Sequence, residues 1–185
     1  MKPKITNRAE IYRGKVFNVR TDQVQLESGR QTAYDVVDHP GSVTMIPVDD
    51  EGLIWLIRQY RHPARISLLE FPAGTLENDE DPEDCAVREC QEEIGMAPGE
   101  LLFLGSYFLA PGYSNEQTHL YMVRDLQPAP LPADEDEAIE IEKYSVDEIY
   151  DLIASDGLQD AKTLAGLLLA LPLLDEGDLD FGELE

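Results

Sequence analysis

Residues 74 to 96 read GTLENDEDPEDCAVRECQEEIGM, and this stretch decides the fold. Asp81 before Pro82 marks a helix start, a capping side chain followed by a proline whose fixed φ suits the first helical position. Glu83 and Asp84 place negative charge in the first turn, where the helix dipole favours it. Gly95 supplies the left-handed residue that ends the helix. Between these points Ala86, Val87, Cys90 and Ile94 recur at helical spacing and predict an apolar stripe. Glu89 and Glu93, four apart, lie one turn above the other along its edge. Like charges held so close repel, and a divalent cation with a taste for hard oxygen ligands, Mg²⁺ or Mn²⁺, is the simplest compensation.

In a chain with 38 Asp and Glu, two glutamates on a helix are ordinarily solvated surface. The spacing around them shifts the weight. Gly74, Glu80, Arg88, Glu89, Glu92, Glu93 and Gly95 follow G-x5-E-x7-R-E-U-x-E-E-x-G-U, where U is bulky and apolar. The pattern resembles the Nudix box, complete at every polar and glycine position. Cys90 and Met96 fill the U positions, and a cysteine there behaves as a small buried hydrophobe.

The chain has 185 residues, enough for one well-packed domain with a small appendage. It has no apolar run of spanning length, and MKPKITNRAE is polar, so a cytoplasmic location is the default expectation. Cys85 and Cys90 fall on one helix and are expected to point to different faces, which argues against a disulfide or zinc site and for a reducing compartment. A formal net charge of −24 repels nucleic acid and anionic membrane. It leaves room for a small phosphorylated substrate where metal ions and a few arginines reverse the local field.

Three short strands are expected over residues 11–38, with a Ser28-Gly29 turn. Such a unit cannot bury its own apolar face and should pack against something else. Phe17 there reads first as sheet packing. Two strands, SVTMIPV and LIWLIRQY, follow across an acidic turn. Arg58, Arg61 and Arg65 then cluster, either as solvated charge or as a dock for an anion. Glu70 sits in the apolar run SLLEF, where an unpaired carboxylate is costly, so it should have a partner such as an arginine or belong to a site. Gly74 is expected to let the backbone turn tightly. LLFLGSYFLA and THLYMV read as strands around the polar loop APGYSNE, a setting common for substrate contacts and also for plain hairpins. Residues 127–140 form a proline-punctuated acidic loop, followed by a strand, two helices and an acidic tail. Neither an internal repeat nor EF-hand spacing is present.

Beyond the box, YDVVDHPGSV, RQYR, LLEFPAG and SYFLAPGYSNEQTH are similar to the ADP-ribose pyrophosphatase branch of Nudix hydrolases, with Pro111 about fifteen residues past the box. The resemblance implies an α/β fold, an α/β/α sandwich around a mixed sheet, carrying a small N-terminal antiparallel strand unit. It implies three parts: a strand unit at 1–40 that exchanges strands in a homodimer, a catalytic domain at 41–175, and an acidic tail at 176–185. Glu89 and Glu93 would be metal ligands with the Ala73 carbonyl, and Glu92 would assist catalysis or bind a further ion. Glu80 and Arg88 would hold the box together. Arg61 would contact the diphosphate, Glu116 the terminal ribose and Phe17 the adenine. Glu70, Ala110 and Gly112 complete the substrate-binding set.

The implied reaction is metal-dependent hydrolysis of a diphosphate, giving AMP and ribose 5-phosphate from ADP-ribose, with no organic cofactor. Another nucleoside diphosphate sugar or a dinucleoside polyphosphate is the alternative substrate, and a non-catalytic nucleotide sensor the alternative role. Carboxylates bound to cations make poor bases, so the base is sought elsewhere. Glu135 and Glu137 in the acidic loop are the candidates.

Overall fold

The computed structural model describes residues 3–132 and 138–175. Three strands open the chain, β1 (Lys4–Arg13), β2 (Asn18–Gln25) and β3 (Gln31–Asp38), in an antiparallel sheet of that order. β1 starts earlier than expected, because an edge strand needs only backbone pairing and Lys4 through Arg13 find it along β2. Val16 and Phe17 lie in the connecting turn, not in a strand, closed by the Gly14 N–H donating to the Phe17 carbonyl at 3.0 Å. Every residue of β1 is exposed, Ile5, Ile11 and Tyr12 included.

β4 (Ser42–Pro47) is buried throughout and lies between β7 (Ala73–Thr75) and β9 (Gln117–Pro128), with β8 (Met96–Phe108) outside β9. It runs parallel to β9 and antiparallel to β7, so the sheet is mixed. A second sheet has the order β10 (Ile139–Tyr144), β5 (Ile54–Arg61), β6 (Ile66–Glu70), all antiparallel.

Successive side chains on a strand point to opposite faces, and here both faces are apolar. Val43, Met45, Trp55, Ile57, Tyr121 and Val123 pack on one side with Cys85, Ala86 and Cys90 of helix α1 (Pro82–Glu93) and with Ile94, its C-cap. Ile46, Ile54, Leu56, Leu120 and Met122 pack on the other, against α2 (Val146–Ala154) and α3 (Ala161–Asp175). That is the expected α/β/α layering, and it explains the unbroken apolar runs VTMI, IWLI and LYMV. Helix α2 begins with a capping box, Ser145 with Glu148.

Asp81 caps α1 as expected, accepting the Glu83 N–H at 3.0 Å, and Gly95 follows the helix at φ +71. The stripe differs by one residue: Cys85 is fully buried and Val87 only half-buried. Cys85 and Cys90 therefore face the same core instead of opposite faces, as free thiols, because the core wraps both flanks of the helix. Burial pushes both thiols up, out of the reactive range. No described helix is long and apolar enough to cross a membrane.

Candidate functional site

Where the edge of α1 meets β7, a cavity of about 1180 Å³ opens between the two sheets. One wall is the box. Gly74 sits in β7, not in a loop, and its lack of a side chain makes room for Glu89. A Cβ there would lie 1.8 Å from the Glu89 Cδ.

Arg88 organises this wall. Its Nε and Nη2 donate to the two Glu80 oxygens at 2.8 and 3.0 Å, and its Nη1 donates to Glu89 at 2.7 Å and Glu92 at 2.8 Å. Nη2 also reaches the Thr75 carbonyl at 3.3 Å, tying helix to strand. These bonds hold the Glu80 carboxyl down to about 2 and raise the Arg88 guanidinium further above its already high value. Glu93 is buried behind this edge, where its Oε2 accepts the Ala73 N–H at 2.8 Å.

Elsewhere the lining holds two cations, Arg61 and Lys162, paired with carboxylates. Glu70 is wholly buried, and Arg61 donates to both its oxygens, Nε at 2.7 Å and Nη2 at 2.8 Å. The carboxylate in an apolar run thus has its arginine partner. Lys162 at the start of α3 also donates to Glu70. Glu116 enters from the loop after β8 and accepts the Ser42 hydroxyl at 3.3 Å, with His39 Nδ1 3.9 Å away. That loop is stitched to the end of β3: Tyr113 accepts the Val37 N–H at 2.8 Å, and Asn115 Oδ1 accepts that of His39 at 2.8 Å.

Of the residues singled out from the sequence, Arg61, Glu70, Ala73, Glu89, Glu92 and Glu116 line this one cavity. Glu93, Phe17, Ala110 and Gly112 are not among its lining, although Val16 beside Phe17 and Leu109 beside Ala110 are. Phe17 packs instead against Tyr12, ring centres 6.5 Å apart, and the Ala110 carbonyl accepts the Ser114 N–H at 2.8 Å. Glu135 and Glu137 lie outside the described residues. Sequence reasoning missed Lys15, Asp160 and Lys162, which also line the cavity. The one available signal was Asp160-Ala161-Lys162-Thr163, a helix cap followed by one of only 14 basic residues.

Among the described residues no three His, Cys, Asp or Glu side chains already converge as a cage for a metal ion. The donor set nevertheless suits a hard divalent cation. Glu89 and Glu92 offer carboxylates at the cavity edge, Glu93 stands behind with Ala73, and Gly74 leaves space where Glu89 lies.

The chain is similar to known proteins in sequence and in fold. The family model described as NUDIX domain matches residues 38–167. An ADP-ribose pyrophosphatase of Bacillus subtilis (strain 168) is 32% identical over 88% of this chain and 89% of that protein. A methanol dehydrogenase activator of Bacillus methanolicus is 35% identical over 84% of this chain and 85% of its own. The crystal structure of an ADP compounds hydrolase superposes with a TM-score of 0.84 at 25% identity, covering 96% of each chain.

The depressed Glu80 carboxyl sets a pH dependence. Its folded value of about 2 lies below the ordinary 4.5, so its stabilising effect is complete above 4.5 and is lost as pH falls towards 2. Urea midpoints of the wild type are expected to fall more steeply across that window than those of Glu80→Gln. Parallel curves for the two proteins would remove Glu80 as a source of acid sensitivity.

Proposed function

Because this chain belongs to the Nudix family of hydrolases, we propose that it cleaves the diphosphate of ADP-ribose or a related nucleoside diphosphate sugar with a divalent cation, releasing AMP and ribose 5-phosphate from ADP-ribose. The observation that supports this reading is one cavity whose lining brings Glu89 and Glu92 of the box together with Arg61. The name of the Bacillus subtilis relative points to the same substrate class.

A diphosphate is polyanionic and repels an incoming nucleophile. Mg²⁺ or Mn²⁺ held by Glu89, Glu93 and the Ala73 carbonyl, with Glu92 assisting, would neutralise phosphate oxygens and make a water more acidic. The chain's own side chains do the rest. Arg88 fixes Glu89 and Glu92 in one orientation. Arg61, pinned by Glu70, presents a guanidinium to the diphosphate. Glu116, which lines the cavity, accepts a ribose hydroxyl, and Phe17, with Ala110 and Gly112, serves the adenine side of the ligand. Glu135 or Glu137 takes the proton of the attacking water as its oxygen bonds to phosphorus and the anhydride P–O bond breaks. The free, buried cysteines suit a reducing compartment, and we place the enzyme in the cytoplasm. The exposed β1 sheet edge and its apolar residues fit a unit, residues 1–40, that joins two copies, with the catalytic domain at 41–175 and an acidic tail at 176–185.

Three outcomes are expected. In assays across nucleoside diphosphate sugars and dinucleoside polyphosphates, with an added phosphatase that frees phosphate from the monoester products, ADP-ribose is turned over best, only with Mg²⁺ or Mn²⁺, and Glu93→Gln nearly abolishes turnover. Near-normal activity of that variant removes Glu93 from the metal site, and a flat panel without turnover favours a sensor. Glu135→Gln or Glu137→Gln lowers kcat by about two to four orders of magnitude, the usual range for a general base. If both variants and their double keep normal kcat, the base is Glu92 or Glu116. Sedimentation at micromolar concentration gives a dimer that deletion of residues 1–40 dissociates, whereas a folded, active full-length monomer rejects the dimer.

A further inference from the structure

Lys162 has a place in the cavity that the roles above do not use. Its ammonium donates to Glu70 and lies 3.0 Å from the Asp160 carboxylate, with its side chain only 12% exposed. Arg61 already satisfies both oxygens of Glu70. Lys162 is a second cation on that carboxylate, shared with Asp160, and its desolvation is costly.

The surrounding bonds fix where that cation sits. Asp160 caps α3, accepting the Thr163 N–H at 2.9 Å and the Thr163 hydroxyl at 2.7 Å. Thr163 Oγ1 in turn accepts the Phe71 N–H at 2.8 Å, in the residue next to Glu70. The Lys162 carbonyl accepts the Tyr107 hydroxyl at 3.0 Å. The first turn of α3 is thus fastened both to the end of β6 and to β8. An ammonium has three donors, and Glu70 and Asp160 engage two of them.

We infer that Lys162 and Arg61, both set on the buried carboxylate of Glu70, form a two-cation seat for adjacent phosphates of the ligand. Arg61 presents a flat fork to one phosphate and Lys162 a point charge to its neighbour. Glu70 and Asp160 are positioning residues, acting through the cations they hold. The seat rests on the hydrolase reading only in taking the ligand to be a diphosphate.

Calorimetric titration with inorganic pyrophosphate in Mg²⁺ buffer tests this without turnover of a nucleotide sugar. Lys162→Met is expected to weaken pyrophosphate binding about 10- to 100-fold, the loss of one charge-assisted hydrogen bond. Lys162→Arg should restore binding to within about threefold, since the charge and a donor return. Lys143→Met, on a separate small pocket beside Trp55, should bind as wild type does. If Lys162→Met does not fold, Glu70→Gln/Lys162→Met removes both charges of the pair and is read instead. Wild-type affinity in the methionine variant, or no saturable binding by the wild type, overturns the seat. Weakened binding in that variant together with no turnover of any nucleotide sugar by the wild type keeps the seat and overturns the hydrolase reading.

Discussion

Within its twelve residues α1 carries five carboxylates and a single guanidinium, Arg88. Left to itself such a helix repels its own edge, and the rest of the site depends on how that repulsion is relieved. Arg88 does so by lying against Glu80, Glu89 and Glu92 together and reaching back to the Thr75 carbonyl. Each bond is charge-assisted and partly shielded from water, so each counts for more than a surface pair. The same bonds aim the carboxylates into the cavity, so the relief of repulsion and the construction of the acidic wall are one event.

The lining around Glu70 solves the complementary problem. Glu70, with no exposure at all, would be prohibitive to bury alone, and two cations reach it from different elements, Arg61 on β5 and Lys162 on α3. Each wall rides on a packed core. Helix α1 rests on the face made by Val43, Met45 and Tyr121. Helix α3 rests on the other face, where Gly166 lets Phe71 approach closely. Charges on opposite sides of the sheets thus meet at one edge.

What was legible in the sequence followed the reach of each interaction along the chain. The helix start at Asp81-Pro82, its end at Gly95 and the box spacing are local, and all could be read directly. The near-continuous apolar runs of β4, β5 and β9 are the pattern of sheets covered on both faces. A helical period puts Val87 in the stripe and leaves out Cys85, because a period alone does not say how far a core wraps around a helix. The strand β1 was read too short because its partner, not its own side chains, makes it a strand. Lys162 was missed for a plainer reason: it meets Glu70 across 92 positions of sequence, and no local pattern reports such a contact. Glu135 and Glu137 were proposed on chemistry, from the need for a base that is not itself bound to a cation.

Gly74 is not among the glycines with left-handed backbone angles, so nothing in its own conformation forbids a side chain. What excludes one is the carboxylate of Glu89, fifteen positions on, already occupying the space. A methyl group at 74 would therefore displace the Glu89 side chain and leave the backbone at 74 as it is. Since Arg88 also holds that carboxylate, the displacement would reach the acidic wall through the arginine, so a residue without a side chain decides where a side chain fifteen positions away can rest.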